Sequence, residues 1–211
     1  MKKKLFFSIL SVIAISVIAF GVTYAYYESF STENVTGEAK EGITSTLSLE
    51  VIHDGSSKLV PLYDRYVKDA ITKESNPCVD NSRFQYNVCS LYKITLTNEG
   101  SSENLYGFVR TKDTTYETNN LKYQIYDSTY NAITDVITLS KVVDETVYFT
   151  KDNNNSTISS TGNEIYYLVV WLSDTGELQS EDYSKTFSGS VGFESVTDFG
   201  TGLSQIEASF E

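Results

Sequence analysis

One histidine, two cysteines, two prolines, one methionine and one tryptophan among 211 residues remove several kinds of chemistry at once. His53, the lone histidine, excludes any site built on two or more histidines of one chain, and no His-Glu-x-x-His is present for a zinc hydrolase. Two cysteines cannot make a four-cysteine zinc site or a multi-disulfide knot. Cations are scarce too, with 16 Lys+Arg against 28 Asp+Glu and a formal net charge of −12. Phosphate neutralisation needs clustered Lys and Arg, so nucleic acid is excluded as a partner. No Gly-x-Ser-x-Gly occurs, and a Ser/His/Asp triad would have to use His53. No catalytic, metal-binding or cofactor-binding residues are assigned, and the protein reads as no enzyme. An acidic surface attracts cations such as calcium, but composition locates no site for one.

What is abundant is tyrosine and phenylalanine, 16 and 11 residues, with many Thr, Ser and Val. Pleated, half-buried strands prefer these residues. The composition is that of an acidic, β-rich globular chain with room for about one domain of ordinary size.

Residues 1–25 read as a secretory signal peptide. Lys2, Lys3 and Lys4 precede an uncharged run from Leu5 to Ala25, the order of a basic and then an apolar region in an export leader. Thr23-Tyr24-Ala25 places a small residue before the cut, so cleavage is expected between Ala25 and Tyr26. Ala19-Phe20-Gly21 is a second candidate. The alternative is an uncleaved anchor, since a run of this length can cross a bilayer. In that case alone would the chain meet a membrane. Removal of residues 1–25 takes three of the 16 basic side chains and none of the 28 acidic ones, leaving a net charge of −15. No Leu-Pro-x-Thr-Gly sorting signal follows, and a secreted or cell-surface location is expected.

Export changes the meaning of the cysteines. Cys78 and Cys89 bound one short segment, and an even pair at close spacing in an exported chain forms a disulfide. A loop of this size stabilises by about 2–3 kcal/mol in the chain-entropy account. A redox pair is the alternative, but Cys-x-x-Cys spacing is missing.

Residues 26–42 are polar, with Tyr26, Tyr27, Phe30 and Val35 as apolar points, and read as an extended arm. Residues 43–211 read as one β-sandwich domain. Alternation predicts strands over 43–52, 90–98, 105–111, 121–126, 133–140, 145–150, 185–194 and 206–210. Ile165–Leu172 is the most apolar strand and is expected at the centre of a sheet. Pro61 marks 59–62 as an edge or irregular segment. Leu62, Tyr63, Tyr66, Val67, Ala70 and Ile71 recur at helical spacing, predicting one short helix near 63–72 that Ser75-Asn76-Pro77 ends. The segment between the cysteines reads as a loop or hairpin tip, and 151–162 and 173–181 as polar loops. Many short strands without βαβ alternation predict an all-β, antiparallel, jelly-roll-like β-sandwich with one short helix.

Few other residues carry chemistry. His53, before Asp54-Gly55, reads as a strand-end turn residue, with a metal ligand as the alternative. Asp152-Asn153-Asn154-Asn155 is a fragment of a calcium loop without the rest of its ligands and reads as a solvated loop. Trp171, Tyr166 and Tyr167 suit a sugar-stacking platform, but a Trp in an apolar strand reads first as core. Asn34, Asn154 and Asn155 open glycosylation sequons, expected to stay unmodified behind a leader of bacterial style.

The junction Thr23-Tyr24-Ala25-Tyr26-Tyr27-Glu28-Ser29, followed by a polar arm, Gly42 and the strand Thr46-Leu47-Ser48-Leu49-Glu50, resembles the leader boundary of proteins cut by the SipW-type signal peptidase. On these residues the chain resembles the TasA/camelysin family of Gram-positive surface and matrix proteins. The resemblance implies a jelly-roll domain in a non-enzymatic biofilm-matrix or surface protein. It further implies fibres in which the arm of one subunit adds as a strand to the next, by main-chain pairing at an open sheet edge. Tyr26, Tyr27, Phe30 and Val35 would be the docking side chains of that strand-donor arm. Self-association is then the expected interaction, with other matrix or cell-envelope components as further partners. Camelysins have been classed as metalloproteases, but this sequence offers no ligand set for that activity. The rival reading is a monomeric surface module binding carbohydrate or protein through exposed Tyr and the loops 151–162 or 173–181. A secreted metal-dependent hydrolase stands third.

Overall fold

The computed structural model describes residues 35–36, 38–39, 43, 45–55, 59–98, 100, 103–149, 156–158, 162–198 and 204–210. Asn34–Glu211 forms one compact unit. In chain order its strands are β1 (Val35–Thr36), β2 (Glu38–Ala39), β3 (Ser45–His53), β4 (Ser90–Asn98), β5 (Glu103–Thr114) and β6 (Leu121–Asp127). Then come β7 (Ile137–Thr138), β8 (Thr146–Tyr148), β9 (Ser156–Ile158), β10 (Asn163–Leu172), β11 (Phe187–Ser195) and β12 (Gln205–Phe210). Between β3 and β4 lies one short helix, α1 (Val67–Ile71), entered through a 3₁₀ turn at Asp64–Tyr66.

The strands form two antiparallel sheets. The first runs β1-β3-β4-β10-β6-β7, and the second β2-β12-β11-β5-β8, with β9 also paired to β5. The chain passes repeatedly from one sheet to the other, so the fold is an all-β sandwich with one short helix, as the sequence predicts. Alternation explains the core. Leu47 and Leu49 of β3, Tyr92, Ile94 and Leu96 of β4, and Val191 and Phe193 of β11 point inward and are buried. Aromatic rings join the sheets, with Tyr92 and Phe210 5.1 Å apart and Tyr166 and Phe193 5.7 Å apart.

The strand β10 is apolar at nearly every position because both of its faces are covered. Tyr166, Leu168, Val170 and Leu172 enter the inter-sheet core. Val169 and Trp171 face the other way, into a second apolar cluster with Val67, Ala70, Ile71 and Leu91. Spacing of three and four residues puts Val67, Ala70 and Ile71 on one helix face. The helix and the segment after it thus form a cap on the outer face of the first sheet. The Cys78–Cys89 disulfide, with both sulfurs buried in the same cluster, ties the cap to the strand that follows. Trp171 is core, and its indole Nε1 donates to Asp64 Oδ1 at 2.9 Å.

Three expectations change in detail. The strand expected over 133–140 is reduced to Ile137–Thr138. Ile133 and Val136 are exposed there, and Thr134 Oγ1 instead of a ladder carbonyl accepts from the Ile125 amide. The polar loop 151–162 contains a short strand, β9, which lies along Glu103–Leu105 of β5. Of the helix expected over 63–72 only five residues are α-helical, and Tyr63 and Tyr66 of its apolar spacing are exposed rather than packed.

Candidate functional site

The second half of the segment read as an arm is built into the sandwich. Val35 and Thr36 pair with Leu49 and Ser48 at the outer edge of β3. Two residues on, Glu38 and Ala39 pair with Glu207 and Ile206 at the outer edge of β12. One short stretch therefore serves both sheets on the side where their edges meet. Among the described residues, β3 carries an outer partner at Ser48–Leu49 only and β12 at Ile206–Glu207 only. Of the residues assigned to strand donation, Val35 sits at this edge. Ala25, Tyr26, Tyr27 and Phe30 lie outside the described residues, as does the calcium-loop fragment Asp152–Asn155.

A groove opens elsewhere, between the segment 59–62 and the loop 173–183. Leu62 N donates to Leu172 O at 2.8 Å, and Asp174 N to Leu62 O at 3.0 Å. The groove holds ≈ 630 Å³ and is lined by Val60, Pro61, Asp174, Glu177, Leu178 and Tyr183, among others. Its loop is held by its own side chains. Gln179 accepts from Thr175 N through Oε1 and donates to Ser173 O through Nε2. Behind it, the buried Asp182 carboxylate accepts from Thr118 Oγ1 at 2.5 Å and from Asn120 Nδ2 at 2.8 Å. That rigid frame leaves Leu178 93% exposed and Tyr183 83% exposed. Among the described residues no cation lines the groove, so its described lining suits neutral or positively charged ligands.

The disulfide-bounded segment is a braced hairpin. Val79 and Asn87 pair antiparallel at its base. Asp80 Oδ1 accepts from the backbone N–H groups of Ser82 and Tyr86 and from the Ser82 hydroxyl. The tip presents Phe84, 66% exposed, and Tyr86, 46% exposed, with ring centroids 5.6 Å apart. The Arg83 guanidinium lies 5.4 Å from the Phe84 ring centroid.

The other polar clusters are structural. On the outer face of the second sheet Arg110 bridges Glu207 at 2.7 Å and Thr146 at 2.9 Å, and lies 4.9 Å over the Phe108 ring. Tyr148 donates to Glu194 at 2.5 Å, and its phenol is pushed up to about 12, first by burial and then by that carboxylate. Asp127 closes a turn by accepting from Asn131 and Thr129, bonds that hold its carboxyl down at about 2. His53 Nε2 donates to Asn87 Oδ1 at 3.1 Å, and burial lowers its pKa. Among the described residues no group of three His, Cys, Asp or Glu is placed to hold a metal ion. Tyr167 stacks on Tyr130 with centroids 4.5 Å apart, so Trp171, Tyr166 and Tyr167 do not share one exposed platform. Sequence reading missed the groove floor and the Asp80 brace. For the brace the signal present was an Asp two residues before a Ser; the groove joins segments far apart in the chain and leaves no local signal.

Among the described residues no helix is long and apolar enough to cross a membrane. No family model matches the chain, and no curated protein matches it. Among solved structures it is similar to the PA14 domain of the MpAFP antifreeze protein, at 12% identity and a TM-score of 0.28, over 82% of this chain and 89% of that one.

Proposed function

We propose that this is an exported, non-enzymatic surface or matrix protein that self-associates by exchanging its N-terminal arm. The observation carrying this reading is the pairing of residues 35–36 and 38–39 with β3 and β12. A sheet edge that accepts this stretch from its own chain accepts the same stretch from a second copy with the same hydrogen bonds. Such an exchange of identical elements is a low-cost route to assembly. The leader resemblance and the disulfide support an extracellular setting. Residues 26–33 would then reach further along the edge of the receiving subunit, with Tyr26, Tyr27 and Phe30 as anchors. The test is light scattering after size exclusion on residues 26–211, 34–211 and 43–211. High-mass species from the longest chain, and capture of a synthetic 26–42 peptide by the shortest, are expected. Equal monomers and no peptide capture would overturn the reading.

The groove beside loop 173–183 favours a second reading, a surface binding module. Its observation is the exposed Leu178 and Tyr183 on a frame held rigid by Gln179 and Asp182. Binding of neutral or amino sugars that Tyr183→Ala abolishes would support it.

A further inference from the structure

We infer that the braced hairpin tip at Arg83–Tyr86 is a docking knob for the groove of a second copy of this chain, in a two-fold dimer that exchanges tips. This contact goes beyond the arm and does not involve it. The two surfaces match in chemistry. The knob carries two neighbouring exposed aromatic rings and one cation. The groove carries Leu178, Tyr183, Val60 and Pro61 with the carboxylates of Asp174 and Glu177. Among the described residues neither Arg83 nor Glu177 makes an ion pair, so the two opposite charges are available to one another.

Both surfaces are held in place before any contact. The disulfide, the Asp80 carboxylate and the Val79–Asn87 pairing fix the knob. Gln179 and Asp182 fix the groove. Ordering costs are the usual tax on association, and a preformed aromatic anchor entering a preformed pocket avoids most of them. The arm is a poor rival for the groove, since residues 26–42 hold four Glu and one Lys and would meet carboxylates. Val60 N donates to Asn87 O at 2.8 Å, so the groove wall and the hairpin base are bonded to one another. Knob and groove thus lie side by side. Two copies facing each other about a two-fold axis each insert a tip beside the point where they receive one, the self-complementary form of a closed dimer.

The experiment is sedimentation velocity over a concentration series on residues 26–211 and 34–211, with Phe84→Ser, Arg83→Glu and Glu177→Lys. All three side chains are exposed, and circular dichroism checks that each variant is folded. A dimer is expected from both chain lengths. Phe84→Ser should weaken it by about 30-fold, and each charge reversal by about tenfold. An equimolar mixture of Arg83→Glu and Glu177→Lys should restore it, because every tip then faces an opposite charge. A monomeric wild type, or a dimer indifferent to all three changes, overturns the inference. So does a monomeric wild type whose binding to phosphatidylglycerol vesicles depends on Phe84, which would make the knob a membrane contact. Loss of assembly only on removing residues 26–33 leaves the arm reading standing and this one refuted. Loss only on Phe84→Ser upholds this one and leaves the exchange of residues 35–39 to the comparison with 43–211.

Discussion

At the scale of single residues, His53 has a consequence for pH. Burial disfavours its charged form and lowers its pKa below 6.5, against the smaller opposing effects of the Asn87 hydrogen bond and the Asp54 charge. As pH falls the unfolded chain takes up this proton first. Stability from the neutral imidazole is therefore complete above about 6.5 and is lost as pH falls from there towards the folded-state value. Urea midpoints should drop between pH 7 and pH 5.5, and His53→Gln should flatten that drop. An unchanged slope would assign the drop to other groups. Asp64 offers a second case. It accepts from the Trp171 indole at 2.9 Å and from Ser173 Oγ at 2.7 Å. Asp64→Ala leaves the buried indole N–H without that partner, and we expect a loss of about 1–3 kcal/mol by denaturant unfolding. Neither partnership was legible from sequence. His53 reads correctly as a strand-end residue, but Asn87 lies far along the chain, and only the folded cap brings it close.

At the scale of elements, periodicity of two predicts β3, β4, β11 and β12 well, because each has a buried face and alternation reports burial, whereas β10 shows as an unbroken apolar run because both of its faces are covered. It fails at 133–140, where an edge segment exposes Ile133 and Val136 and apolar residues carry no information about pairing. It fails again at β9, whose Ser-Thr-Ile is too short to alternate. Glycine in β11 shows a different constraint. A Cβ on Gly192 would stand 2.4 Å from Ile206 O and 2.7 Å from the Phe108 ring. The neighbouring strand's backbone cannot give way without breaking the β11–β12 ladder. Gly192→Ala should cost about 1–3 kcal/mol, seen as a lower denaturant midpoint, whereas Ser188→Ala on the same strand should cost less. Equal effects would mean that the close approach is relieved cheaply.

At the scale of the whole molecule, the sandwich is one unit from Asn34 onward, and the disulfide is its one covalent tie. Cys78 and Cys89 are 11 positions apart, so their reduction frees only a short loop, but that loop belongs to the cap over Trp171. Reduction should lower stability by about 2–3 kcal/mol and shift Trp171 emission to the red before the far-ultraviolet β signal changes. Simultaneous loss of both signals would show the cap and the sheets to be one cooperative block. The all-β class, the central strand and the cysteine pairing are legible in the sequence because each rests on local pattern. The cap, the groove and the seating of residues 35–39 on two edges are not, because each depends on segments distant along the chain.

The position of β10 also governs when the molecule can take shape. In the first sheet β4 and β6 never touch, and each pairs only with β10 on the side where they would meet. The strand that joins them spans residues 163–172, and in the second sheet β5 waits likewise for β11. Non-local pairing of this kind is slow to nucleate. A chain made or threaded from its N-terminus must therefore expose about three-quarters of its length before either sheet can close, and until then β4 has one side unmatched. Closure of both sheets is thus expected to wait for the strands β10 and β11, and a truncated chain ending before Asn163 should collect as aggregate instead of a partial sandwich, as sedimentation of that fragment would show.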